Sequence, residues 1–231
     1  MIFLSTLLIK GGFFSYLINK FKKIKTPLII FLTIILGAPS SLILLNDIEQ
    51  QNIINKNEKE LLFTCFGGIS FSFLISLYSN SSIKHLFIII YYTGELLIYL
   101  FFKNRNNRKI TIKPIAFKKS SIRESIIQTL LSICSILFFS LCFNYLFAYS
   151  NKAFTYYSFL TMFLEFSYSS YICISSSFIY KDILIMLILS FTSLSLYFQI
   201  YYFDSSYDLI NHIKKRWLIS TINSILLFIF I

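Results

Sequence analysis

From Leu86 to Phe102 the chain reads LFIIIYYTGELLIYLFF, seventeen residues with one charged side chain. Apolar stretches of this kind recur along most of the 231 residues, set apart by short polar connectors. A helix needs about 20 apolar residues to cross the hydrocarbon core of a bilayer. Only 13% of the side chains are charged and 56% are apolar, whereas a soluble domain carries about 25% charge. With a mean hydropathy of +0.72, lipid is the solvent for most side chains. The length has room for six or seven spans and leaves none for a soluble catalytic domain, a zinc module or a nucleic-acid-binding domain. The expected fold is all-α, a polytopic transmembrane helical bundle forming a single integral membrane domain over 1–231.

Reading along the chain places spans at about 27–45, 61–78, 83–102, 126–147, 154–180 and 183–203. Short apolar segments, 2–17 and 217–231, lie outside them, the first interrupted by Lys10, Gly11 and Gly12. Gly37 and Pro39 predict a kink in the first span. The connector DIEQQNIINKNEKE reads as polar and exposed, and DSSYDLINHIKKR as a polar stretch before the last apolar run. That run has 15 residues, about 22 Å of helix at 1.5 Å per residue, too short to cross unaided. The basic loop 103–124 carries eight Lys or Arg and one acid, which places it on the matrix or cytoplasmic face. The N-terminus lacks the basic start and small-residue cleavage site of a secretory signal.

The composition also speaks about origin. The chain has no valine and four alanines, against 27 phenylalanines and 16 tyrosines. The depleted residues have G- or C-rich codons and the enriched ones A- or T-rich codons, as in an organelle genome or an AT-rich microbe. The net charge of +11 reflects loop lysines beside lipid headgroups rather than a nucleic-acid partner. Cys65, Cys134, Cys142 and Cys173 all fall in apolar stretches, without a C-x-x-C spacing, and His85 and His212 are far apart. Neither a metal site nor a disulfide framework is expected.

Two carboxylates fall inside predicted spans, Glu95 and Glu165. An ionised group at mid-bilayer costs roughly 2.5–3.5 kcal/mol on insertion scales, so each must face protein or water, be paired, or be neutral. A carboxyl that switches between charged and neutral suits a proton path. Tyr91, Tyr92 and Tyr99 lie on or near the face of the helix that carries Glu95. Lys84 and His85 open the same span and are expected to reach the interface. No nucleophile–base order, zinc-binding helix or phosphate-cradling glycine loop occurs. No catalytic residue is assigned, and an autonomous membrane enzyme is not expected.

The segment 57–103 resembles part of NADH dehydrogenase subunit 6, a membrane subunit of mitochondrial respiratory complex I. Tyr92 and Gly94 match a Tyr-x-Gly pair in the third helix of that family, and Leu97–Phe102 its following apolar run. Asn57 stands at the distance of an upstream helix start. Ser82 replaces a glutamate common in the family, and Glu95 stands where alanine is usual. The family usually has five spans, so the terminal segments here would be additions. The resemblance implies a coupling role with Tyr92, Gly94 and Glu95 in a helix prone to an i→i+5 irregularity, and Glu165 as a further proton-path candidate. It implies membrane subunits of a large complex as partners, the lipid bilayer as surroundings and an organelle-encoded place in the mitochondrial inner membrane. It implies no cofactor on this chain; NADH, flavin, iron–sulfur clusters and ubiquinone belong to the complex. Two other expectations stay open: a permease subunit using Glu95 and Glu165, and a lipid- or glycan-processing subunit using Asp204 and Asp208.

Overall fold

A computed structural model describes residues 2–21, 24–78, 83–103, 121–148, 170, 173–174 and 178–231. Among the described residues there are eleven helices: α1 (Ile2–Lys10), α2 (Phe13–Lys20), α3 (Lys25–Leu36), α4 (Ser40–Gln50), α5 (Lys56–Phe66), α6 (Phe71–Leu77), α7 (Lys84–Phe102), α8 (Ser121–Ala148), α9 (Lys181–Phe191), α10 (Leu194–Phe203) and α11 (Leu209–Phe230). Three stretches among them are long and apolar enough to cross a membrane: Lys56–Leu77, Lys84–Phe102 and Lys181–Phe203. The protein is a helical membrane protein with several apolar spans. Its outward faces fit that solvent; on α7, Ile89 is 62% and Phe101 79% exposed, and lipid accepts such side chains without cost.

Of the six expected spans, one is corrected among the described residues. The stretch 27–45 is not one kinked helix but α3 and α4, separated at Gly37, which takes a positive φ of 58°. A Cβ there would meet the Ser70 backbone nitrogen at 2.7 Å, so both the backbone conformation and the close approach require glycine. α3 is left with 12 residues, about 18 Å of helix against a core of about 30 Å. Most of the predicted span 154–180, most of the loop 103–124 and Ser82 lie outside the described residues. The predicted span 126–147 falls within α8, which packs on α1 through a hydrogen bond between the Thr6 and Thr129 hydroxyls at 3.1 Å.

Helix starts follow local chemistry. Asn55, not Asn57, opens α5 by accepting a hydrogen bond from the Glu58 amide at 2.8 Å, with Glu58 in the first turn, where an acid favours the helix dipole. Asp208 opens α11 in the same way, accepting from the Asn211 amide at 3.0 Å. The last apolar segment is therefore not an isolated run from Trp217. It is the greater part of a 22-residue helix, because the cap and a buried face carry the helix back through the polar stretch.

The buried apolar side chains form two clusters. One gathers α1 to α5 with Ile98 and Tyr99 of α7, Leu196 to Ile200 of α10, and Ile219 of α11. The other gathers Leu74, Leu77, Phe87, Ile90, Tyr91, Ile185 to Leu189 and Leu227. Between them each long element changes character. α5 gives way to α6 through Gly67–Ser70, and α9 to α10 through Thr192, whose φ is 73°. α7 and α11 continue but place polar side chains at that level. The α3–α4 break joins the same layer: the Ala38 amide donates to the Gly68 carbonyl at 2.9 Å and the Ser41 hydroxyl to the Gly67 carbonyl at 3.1 Å.

Candidate functional site in the polar seam

The seam is built mainly by α7 and α11, which run antiparallel. On α11, residues spaced by three and four share one face, and His212, Arg216, Ile219, Ser220, Asn223, Ser224 and Leu227 are its buried residues. Five of these seven are polar, an arrangement that only a polar facing surface can receive.

Glu95 of α7 supplies that surface. Arg216 Nη1 donates to Glu95 Oε1 at 3.0 Å and to the Ser190 carbonyl at 3.2 Å. The guanidinium is 0% exposed and the carboxylate 1%. Asn223 Nδ2 donates to the Tyr91 carbonyl at 3.2 Å and to Ser190 Oγ at 2.9 Å. Gly94 makes this possible, since a Cβ there would run into Asn223 Oδ1. Gly68 does the same for the guanidinium: a Cβ there would run into Arg216 Nη2 and would lie 3.1 Å from Thr192 Cγ2. The ion pair thus lies against two helix breaks. Glu95 Oε2, Arg216 Nε and Nη2, Asn223 Oδ1, Ser224 Oγ and the Tyr91 hydroxyl have no partner in hydrogen-bond geometry among the described residues, although the Tyr91 hydroxyl stands beside both Glu95 and Arg216.

A second polar group lies nearer one surface. Thr64 Oγ1, the Tyr207 hydroxyl and His212 Nδ1 are mutually within 2.9–3.0 Å, and the Tyr207 hydroxyl also donates to the Glu60 carbonyl at 3.2 Å. Next to it Lys59, 3% exposed, bridges Glu49 at 2.7 Å and Asp204 at 2.6 Å. Lys56 donates to the Ser206 carbonyl at 2.8 Å at the exposed rim. Burial pushes the Asp204 carboxyl up, but hydrogen bonds from Lys59 and Ser206 outweigh it and hold the group below the usual carboxylate range.

No family model, curated protein or solved structure matches the chain. The site is therefore read from its own chemistry.

Of the residues singled out in the sequence, Gly94 and Glu95 are at the centre of the seam. Tyr92 is half-buried at its margin, its hydroxyl 3.5 Å from the Ile69 carbonyl. Tyr91 and Tyr99 are buried and His85 is exposed. Glu165 lies outside the described residues. α7 is α-helical from Lys84 to Phe102, with no i→i+5 turn. Asp204 is engaged by Lys59 and Ser206, and Asp208 by the α11 cap, so the acidic pair proposed for a lipid- or glycan-processing site is used structurally. Among the described residues no group of His, Cys, Asp or Glu has a metal-binding arrangement.

Sequence reasoning missed Arg216, Asn223, His212, Tyr207 and Thr64. The signal was the spacing His212, Arg216, Ser220, Asn223: a polar stripe of helical period hidden by drawing a boundary between Arg216 and Trp217. A buried carboxylate at Glu95 needs a partner, and that stripe was the place to look for its cation.

Proposed function

We propose that this chain is a membrane-embedded coupling subunit in which the Glu95–Arg216 pair controls proton movement. The observation that carries the reading is a fully buried ion pair set in a polar seam where two helices are interrupted. An unpaired charge in this setting is strongly disfavoured, so protonating Glu95 releases Arg216 from its counter-charge and favours rearrangement of the groups around it. The breaks at Gly67–Ser70 and Thr192 supply backbone that can move without unwinding a whole helix.

The assembly we assign it to is the membrane arm of a proton-pumping NADH:ubiquinone oxidoreductase in the mitochondrial inner membrane. The support is the Tyr92-x-Gly94 helix with its apolar run and the AT-biased composition. On this reading the chain binds no cofactor and works only with neighbouring subunits. A second reading, a permease subunit for a small solute, is favoured by one observation: interrupted helices flank the buried charge, as they do at many transporter sites.

Native electrophoresis after mild detergent extraction separates the two. The respiratory reading expects the 27.1 kDa chain in a much larger particle with NADH:quinone activity. A small particle that catalyses solute uptake supports the permease. Unchanged proton movement in sealed membranes bearing Glu95→Gln refutes the coupling role in both.

A further inference from the structure

The groups between Asp204 and Glu95 form a sequence of their own. Lys59, Glu49 and Asp204 stand at the end of the bundle where α4 and α10 finish and α5 begins. One step inward is the triangle of Thr64, Tyr207 and His212, each contact 2.9–3.0 Å long. Arg216 follows His212 one turn along α11, and Glu95 is bonded to it. From the C-terminus of α7, Glu95 is seven residues in, about 10 Å at 1.5 Å per residue. Polar side chains therefore recur from the rim to the ion pair, through a region otherwise filled by the larger apolar cluster.

We propose that Thr64, Tyr207 and His212 are a proton intake path that connects the Lys59–Asp204 surface to Glu95. The proposal rests on the coupling role of Glu95 given above.

Three features point this way. His212 is 1% exposed, yet one ring nitrogen has two hydroxyl partners and the other, Nε2, has none among the described residues. A histidine serving only to fill the core gains nothing from a polar atom left unpaired. Both hydroxyls can donate or accept, so either tautomer of His212 is accommodated at Nδ1. The atoms without partners farther in, Arg216 Nε and Nη2 and Glu95 Oε2, are of the kind that buried water satisfies.

The step conserves charge on the ring. Nδ1 takes a proton from the Tyr207 hydroxyl, which takes one from Thr64, whose own proton is replaced through water from the rim side, while Nε2 releases its proton through water toward Glu95 Oε2. The imidazole is neutral before and after. The titratable and charged groups around it and its Tyr207 partner are Lys215 and Arg216 on its own helix, Glu60 and Cys65 on α5, and Tyr197 and Tyr207 on the α10 side, the last two with rings 5.7 and 5.5 Å from the imidazole. The ring is buried, with two cations beside it, which suits relay by tautomer exchange rather than proton storage.

The test uses sealed native membranes containing the whole assembly, with proton movement followed by a pH-sensitive dye and assembly by native electrophoresis. His212→Asn keeps a hydrogen-bonding group near the Nδ1 position but cannot relay, and Tyr207→Phe removes a single oxygen. Both should assemble and lose at least about tenfold in proton flux, matching Glu95→Gln. Normal flux in both, with Glu95→Gln impaired, overturns the intake path and leaves the coupling role standing. Normal flux in all three overturns both. Should the variants fail to assemble, the unmutated protein decides. With 15N-histidine in this chain alone, which has two histidines, spectra of the assembly after transfer to deuterium oxide report His212 against the exposed His85. Exchange at His212 within seconds supports an open path, and protection for hours refutes it.

Discussion

Glu95→Gln is the most informative single change. The amide keeps an oxygen near the position of Oε1, so a hydrogen bond from Arg216 Nη1 persists. The guanidinium, 0% exposed, then has no carboxylate beside it among the described residues. Arginine cannot shed its proton, and breaking a buried pair costs about 3–5 kcal/mol. The surviving bonds to the amide and to the Ser190 carbonyl hold the loss at about 3 kcal/mol. Arg216→Met leaves Glu95 unpaired instead, at about 2 kcal/mol, because a carboxyl can take up a proton. In the double variant neither buried charge remains, and the expected loss is about 2 kcal/mol rather than the about 5 of independent effects, a coupling near 3 kcal/mol. The assay is unfolding in mild detergent followed by tryptophan fluorescence. Trp217 is the sole tryptophan, adjoins Arg216, and packs with its ring tilted 5.0 Å from Phe191 at the α9 break. Losses that add, with coupling below about 0.5 kcal/mol, would refute a strong interaction in the seam.

Three further outcomes follow from the same geometry. Gly94→Ala, which in an open helix position gains about 1 kcal/mol, should here lose about 1–3 kcal/mol, since Asn223 must give up its bonds to Tyr91 and Ser190; adding Asn223→Ala should recover most of it in the same unfolding assay. Asp204→Asn should lose about 2 kcal/mol at neutral pH, Lys59 keeping Glu49. Because the folded carboxyl is held below its unfolded value, the contribution of Asp204 is complete above about pH 4 and disappears as pH falls through the folded pKa, so an acid titration of stability should be flatter in the variant. Thr192→Gly should raise stability by about 1 kcal/mol, since φ 73° with ψ 179° is a conformation open mainly to glycine; a loss there would show that the Thr192 side chain matters more than its backbone strain.

The membrane class and the helix over 84–102 were legible because they rest on long-range composition and unbroken periodicity. So was Glu95, through the cost of a charge among apolar neighbours. The breaks were harder to read. Gly37 and Pro39 marked one, but whether such a pair bends or ends a helix depends on what stands opposite, here Ser70 and Gly68. Thr192 carries no local signal at all, since a β-branched residue at φ 73° runs against local preference. The greatest loss was Arg216. Averaged hydropathy counted it with Lys214 and Lys215 as a polar flank, whereas helical phase puts Arg216 on the buried face and Lys214 outside.

The pair can also be tested for what it adds beyond holding the bundle together. A buried ion pair is weak evidence for stability, since apolar residues of similar size often serve as well or better. The seam also leaves Glu95 Oε2, Arg216 Nε and Nη2 unpartnered among the described residues and places a non-glycine residue at positive φ. These unfavourable features meet at one level of the bundle, between two well-packed apolar clusters. Replacing the pair outright, as Glu95→Leu with Arg216→Met, removes both charges together and keeps similar volumes. A chain that is only scaffold should then assemble and support proton flux normally. A chain that couples through the pair should assemble to the same level and lose the flux. Loss of assembly alongside loss of flux would instead make the pair a folding requirement, and the coupling reading would lose its central support.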